Sequence, residues 1–283
     1  MNLPPSPYQF LASKTGCTGA ITILGAPLDR TGSFRPGCAA GPSGVRWASE
    51  NLEEYSPTLD RDLNDLDFAD MGDLELAGLA QADALDLIET EVGALIDAGT
   101  LPFILGGEHT IALPIARAVC KRYPDALILH LDAHADLRDT YLDDPLSHAT
   151  WAYRAGDEFG FERLIQLGIR SGLREEFTLG RTRSGYFSMG LEYPAHIREL
   201  LATRPVYLSL DIDVLDPAYL PGTGTPEAGG VTYRELLEFL QGLPKLKMVA
   251  MDLNEIAPPL DPTGVTAATA AKLAREMMLI FGM

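Results

Sequence analysis

Cysteine is scarce: Cys17, Cys38 and Cys120 are the only three in 283 residues. They are too few and too scattered for a disulfide framework, so a reduced, cytoplasmic setting is expected. Basic side chains are scarce beside acidic ones, 22 Lys and Arg against 40 Asp and Glu, for a formal net charge of -18. That balance argues against nucleic acid, which needs concentrated Lys and Arg on its phosphates. It would draw a cationic small molecule, although a solvated acidic protein accounts for the charge equally well. No apolar run reaches the ~18 residues of a membrane span, so no membrane partner is expected. The start, "MNLPPSPYQFLASKTG", lacks the basic residues and apolar block of a signal peptide. Internal repeats, linkers and low-complexity tracts are missing as well. One domain over residues 1–283 is expected, with a loosely ordered segment at 1–18.

What is present is a large apolar fraction, 46%, with 22% charged residues, enough for a sizeable core. Short apolar runs alternate with helical patterns, the signature of a parallel sheet flanked by helices. Candidate strands lie at 20–27, 66–72, 101–105, 126–132, 163–169, 185–189, 206–213 and 247–253. Candidate helices include "ADALDLIETEVGALIDAG", "IALPIARAVCKRY", "AHIRELLAT", "YRELLEFLQGL" and "TAATAAKLAREMMLIF". Ligand sites of such sheets gather beyond the carboxyl ends of the strands.

The polar clusters fall there. "ILGGEHT" places His109 after a strand and a Gly-Gly pair; "HLDAHAD" places Asp132, His134 and Asp136 at the end of the next. "SLDIDVLDP" places Asp211 and Asp213, and "MDLNEIAPP" places Glu255. Alternate residues of an extended chain share a face, which would group Asp211 with Asp213, and Asp132 with His134 and Asp136. Four buried carboxylates would repel and take up protons unless cations neutralised them. Two His and four Asp exceed one tetrahedral zinc and suit two hard metals, with manganese favoured by the oxygen-rich shell. Two divalent cations, four carboxylates and one hydroxide leave a single negative charge, which a guanidinium would neutralise. Singly, a DxD is as often a turn or cap, and "GGEHT" could be a glycine turn opening a helix. Their recurrence at strand ends makes a purely structural role improbable.

Together, "GAPLDRTGSFRPGCAAGPSGVR", "GGEHT", "DAHAD", "SHAT", "SLDIDVLDPAYLPGTGTPEAGG" and "MDLNE" resemble the ureohydrolase family of arginases and agmatinases. The likeness covers roughly residues 20–280 and leans towards agmatinases. It implies a three-layer α-β-α fold around an eight-stranded parallel sheet (arginase/deacetylase-like). It implies one Mn2+ on His109, Asp132, Asp136 and Asp211, and a second on Asp132, His134, Asp211 and Asp213. The implied reaction hydrolyses a guanidine to an amine and urea, with water activated between the metals. His148 would relay a proton to the leaving amine, Glu255 would hold the guanidinium, and Asp136 would serve catalysis as a ligand. Relatives imply a homo-oligomer, a trimer or hexamer. Ala149 beside His148, and Asn254 before Glu255, depart from the more familiar pattern.

In the loop "LRDTYLDDPLSHAT", Asp139, Asp143 and Asp144 would repel a substrate carboxylate, with Arg138 the only offset. A small cationic guanidine is therefore expected, agmatine giving putrescine and urea, with Asp139 and Asp143 at its amine end. Aminopropylagmatine, giving spermidine, is the competitor; arginine or another guanidino acid is an alternative. A deacetylase-type amide hydrolase would carry a His-His pair, which is missing, and a non-catalytic relative would lack a ligand or His148. His130 reads as a hydrogen-bonded core residue, His196 as exposed, and Trp151 and Tyr153 as helix packing. Cys38 receives no nucleophilic role.

Overall fold

The computed structural model describes residues 8–282. Its strands are β1 (Lys14–Thr15), β2 (Ile21–Ala26), β3 (Tyr55–Ser56), β4 (Arg61–Asp62), β5 (Phe68–Asp73), β6 (Leu101–Gly106), β7 (Leu127–Leu131), β8 (Leu164–Leu167), β9 (Tyr186–Phe187), β10 (Pro205–Asp211) and β11 (Lys247–Asn254). Its helices are α1 (Gly41–Ser49), α2 (Gln81–Asp97), α3 (Ala112–Arg122), α4 (Trp151–Phe159), α5 (Arg174–Arg183), α6 (Ala195–Thr203), α7 (Tyr233–Gly242) and α8 (Val265–Phe281).

Nine strands form one sheet in the order β1-β5-β2-β6-β11-β10-β7-β8-β9, and every pairing is parallel. Strands β3 and β4 form a separate antiparallel ribbon. Eight sheet strands fall on the eight sequence candidates. The ninth, β1, is two residues beside Ala69 and Asp70. It lies in the segment expected to be loose at 1–18. Residues 1–7 fall outside the described residues, but from Phe10 onward the chain is anchored. The Phe10 side chain is buried, and its N–H donates to Asp70 Oδ2 at 2.9 Å.

The central strands are buried on both faces, as parallel strands between helical layers must be. Leu127, Leu129 and Leu131 of β7 join one core with α1, α6, α7 and α8; Ile128 joins the other with α2, α3 and α4. This alternation produces the three layers. In α2 the buried Ala84, Leu85, Ile88, Val92, Leu95 and Ile96 recur at helical spacing, and the helix stops before Gly99 at φ 77°.

One consequence of strand order positions the site. β6, β11, β10 and β7 are consecutive neighbours at the centre of the sheet. These are the four strands whose carboxyl ends carry His109, Glu255, Asp211 and Asp132. Sequence separations of up to 146 residues collapse onto one sheet edge.

Candidate metal centre

His109 follows the Gly106–Gly107 turn. A Cβ on Gly107 would collide with the Leu28 carbonyl oxygen, and the turn is pinned there by Gly107 N–H donating to Ala26 O (2.9 Å) and Glu108 N–H to Leu28 O (2.7 Å). The imidazole is buried, with Nδ1 at 3.0 Å from Asp132 Oδ2, 3.2 Å from Asp211 Oδ2 and 3.5 Å from Asp136 Oδ2. His134 Nδ1 stands 2.9 Å from Asp213 Oδ2 and 3.6 Å from Asp132 Oδ1. Asp132, Asp136 and Asp211 gather around His109, and Asp132 and Asp213 around His134, with Asp132 reaching each; Asp211, expected in both sets, is placed beside His109.

The reason for the grouping differs from strand alternation. β7 ends at Leu131, and Asp136 sits in the left-handed region at φ 51°. Its carboxylate returns to the others through a turn. Asp213 lies in a 3-10 turn that begins directly after Asp211, whose Oδ1 accepts its N–H at 2.8 Å. The expectation of an extended chain is corrected at both places.

Supporting hydrogen bonds fix these side chains. His109 Nε2 lies 2.9 Å from Ser209 Oγ, and Ser209 donates its one hydroxyl proton to Asp252 Oδ1 at 3.0 Å. Ser209 must then accept from Nε2–H, so Nδ1, facing the three carboxylates, is the nitrogen that would give up its proton to a metal. Tyr207 O–H and Asn254 Nδ2 also donate to Asp252. Asn254 is thus committed beneath the site, beside Gly106, and does not line the cleft. Trp151 Nε1 donates to Asp136 Oδ2 at 2.8 Å. His130 Nε2 is 2.7 Å from Asp132 Oδ2, and its Nδ1 is 3.1 Å from Gln166 Nε2. His130 is the hydrogen-bonded buried residue expected, and His196 is exposed. Trp151 packs as expected but also fixes the Asp136 carboxylate. Trp151, Ser209 and Asp252 were not singled out as site residues in the sequence; the signal for Asp252 was a carboxylate inside an apolar strand.

The electrostatics call for positive charge. Burial and then neighbouring carboxylates push Asp136 and Asp211 well above the usual carboxylate range. Burial opposes ionisation of Asp132 too, but the surrounding His130, His109 and His134 hold it well below that range. His109 Nδ1 and Asp213 Oδ2 are buried and make no hydrogen bond. Unpaired atoms of this kind, imidazole nitrogen and carboxylate oxygen, lie in two groups that share Asp132 (His109, His130, Asp132 and Asp136; Asp132, His134 and Asp213), which suits a pair of divalent cations.

Above them opens a cleft of about 250 Å3, whose lining includes His134, Asp136, Arg138, Tyr141, His148 and Glu255. Glu255 occupies the left-handed region at φ 62°. Its Oε1 accepts His109 N–H at 2.7 Å and its Oε2 accepts the Cys38 thiol at 3.0 Å. Burial raises its pKa to about 7. Cys38 is a buried donor here, and burial pushes its thiol up, away from nucleophilic use. His148 packs edge-on to Tyr141, with ring centroids 5.4 Å apart, and burial pushes its pKa down.

Asp139 and Asp143 are not among the residues lining this cleft. The Asp139 side chain is 69% exposed and pairs with Arg154, and Asp143 is exposed at the loop tip with φ 64°. Their expected place at the substrate is corrected: a solvated turn holds both outward. Glu176 lines the cleft instead; it is buried, accepts Leu137 N–H at 3.0 Å and Leu173 N–H at 2.7 Å, and lies 3.4 Å from Arg138 Nε.

The arginase family model matches residues 19–280. An agmatinase of Bacillus subtilis (strain 168) is 44% identical over 277 residues, covering 96% of each chain. An agmatinase of Bacillus anthracis is 46% identical over 264 residues, 92% of this chain and 91% of that one. The crystal structure of the agmatine ureohydrolase of Thermoplasma volcanium superposes with a TM-score of 0.83 at 33% identity, over 93% of this chain and 90% of that one.

Proposed function

Because the chain belongs to the arginase family, we propose that it is an agmatinase, a metal-dependent hydrolase converting agmatine and water to putrescine and urea in polyamine biosynthesis. The observation that carries the reading is the convergence of two His/Asp groups joined at Asp132, with His109, His134, Asp136, Asp211 and Glu255 lining one cleft. The likeness to agmatinases over nearly the full length supports the substrate.

His109, Asp132, Asp136 and Asp211 would hold one Mn2+, and Asp132, His134, Asp211 and Asp213 the other. When bound, the ions would supply Lewis acidity and make a water nucleophilic near neutral pH. Glu255, already accepting from His109 N–H and the Cys38 thiol, keeps lone pairs for the guanidinium N–H groups and orients that plane over the floor. His148 carries a proton to the departing amine nitrogen, a task suited to imidazole. Glu176 offsets Arg138 on the cleft wall, so an ammonium tail meets no uncompensated cation. The reading includes a single unit over 1–283 acting in the cytoplasm as a homo-oligomer, a trimer or hexamer.

The test is urea release from manganese-loaded protein with agmatine, aminopropylagmatine, arginine and guanidinobutyrate side by side. A kcat/KM highest for agmatine is expected. Preference for arginine or guanidinobutyrate would mean that Arg138, not Glu176, sets the tail charge. Aminopropylagmatine as the best substrate would move the product to spermidine.

A further inference from the structure

Thr31, in the loop after β2, touches His148 twice: its Oγ1 lies 3.2 Å from Nδ1 and accepts the His148 backbone N–H at 3.0 Å. On its other side stands Glu108, buried in the "GGEHT" turn and not used by the mechanism above. Glu108 Oε2 accepts the Arg30 and Thr31 N–H groups, both at 2.6 Å. Its Oε1 accepts the hydroxyls of Thr31 at 3.0 Å and Thr110 at 2.9 Å. A carboxylate receiving four donors has only acceptor capacity left to offer.

We propose that Glu108 and Thr31 are positioning residues that fix the tautomer of His148, with the neutral ring protonated on Nδ1 and Nε2 left as the basic nitrogen for the cleft. A threonine hydroxyl has one proton. With four donors on its two oxygens, the Glu108 carboxyl accepts that proton, as the Thr31 Oγ1 to Oε1 contact of 3.0 Å shows. A second contact, with Thr110 Oγ1 at 3.2 Å, lies on the Glu108 side as well. Towards His148 the Thr31 oxygen can then only accept, and Nδ1 must donate. Ser147 Oγ, also 3.2 Å from Nδ1, is compatible with the same assignment, but its rotatable hydroxyl does not impose it. With the opposite tautomer, Nδ1 and Thr31 Oγ1 would face each other as two acceptors. As neutral rings, His109 and His148 therefore carry opposite tautomers: Ser209 holds the proton of His109 on Nε2, and Thr31 holds that of His148 on Nδ1.

The inference rests on His148 being the proton carrier of the proposed reaction, but its test separates the two. The chain has five histidines, so ring 15N labelling of magnesium-loaded protein, with a His148→Asn subtraction, reads the proton position without turnover. Nδ1–H is expected in the wild type and in Thr31→Ser, with the preference lost in Thr31→Val. In kinetics, Thr31→Val should lower kcat about a hundredfold, the lower end of what general acid–base catalysis contributes. KM for agmatine and bound metal should stay near wild type, and Thr31→Ser should recover most of kcat. A wild-type ring protonated on Nε2 overturns the proposal without recourse to any variant. So does a Thr31→Val protein that keeps both its tautomer and its kcat. Absence of urea from agmatine in the wild type would overturn only the substrate reading.

Discussion

His109 Nδ1 has three carboxylate oxygens within 3.5 Å and hydrogen-bonds to none of them. The cause lies one shell further out, where Ser209 and Asp252 take the other ring nitrogen. Ser209→Ala removes the acceptor that holds Nε2–H. Metal affinity should fall about 10–100-fold, the usual effect of losing such a partner, while the fold survives. Trp151→Phe should act similarly through Asp136, at a stability cost of about 1 kcal/mol for the lost hydrogen bond. Titration of the metal-stripped variants with Mn2+ checks both; unchanged affinity would reduce these contacts to packing. Ligand-type residues were legible in the sequence because His and Asp at strand ends have few other uses. Their partners were not, because Ser209, Thr31 and Trp151 are ordinary residues until the fold aims them. Asp139 and Asp143 misled for the complementary reason: charge is readable in a sequence, but the direction a loop side chain takes is not.

At the level of elements, the site depends on how closely β2 and β6 approach at their carboxyl ends. Gly107 has no room for a Cβ against the Leu28 backbone, whereas Gly99, at φ 77° after α2, has nothing within 4 Å of the same position. Gly99→Ala should therefore cost about 1–2 kcal/mol, from the left-handed backbone alone. Gly107→Ala must displace a neighbouring strand's exit and should cost at least as much as overpacking a core, about 1–3 kcal/mol, and also disturb Glu108 and His109. Chemical denaturation ranks the two, and urea release separates them, since only Gly107→Ala should lose activity beyond its stability loss. Equal activity in both would show that the turn tolerates movement. The eight apolar runs became strands, and those at the centre of the sheet, such as β2, β7 and β10, are buried segments rich in leucine and β-branched residues that have no other place in a three-layer fold. The edge pair Lys14–Thr15 escaped notice because two exposed residues carry no periodicity. Helices α1 and α5 escaped for a related reason: Gly41, Pro42 and Gly44 in one, and Gly180 in the other, dilute the helical signal.

The whole molecule carries a net charge of -18 and gathers buried acids and imidazoles at one sheet edge, so its stability should couple to pH and to metal. The raised carboxyls, Asp136, Asp211, Asp252 at about 6 and Glu255 at about 7, keep protons in the folded chain that the unfolded chain has released. Where the folded state binds more protons, stability falls as pH rises, here from the ordinary carboxylate range up through those folded values. His109 and His134 are raised well above 6.5 by their carboxylate neighbours, although burial opposes it. Their contribution is complete below about pH 6.5 and is lost as pH climbs through the folded values, so it has the same sign. Asp132, lowered, has gained its full contribution above the usual carboxylate range and adds no slope between pH 5.5 and 8. His130 and His148, lowered by burial, work the other way below about pH 6.5. The four raised carboxyls and two raised imidazoles outnumber them, so metal-free protein should have a lower Tm at pH 8 than at pH 5.5. Divalent cations replace those protons, and they bind only the deprotonated ligands, so the rise in Tm on adding Mn2+ should be larger at pH 8. Asp211→Asn, which removes one of the raised carboxyls, should flatten the metal-free slope and shrink the Mn2+ effect together. Calorimetry of wild type and variant at the two pH values decides it: a metal-free Tm that is level or rises with pH would mean that the cluster does not hold the protons its geometry demands.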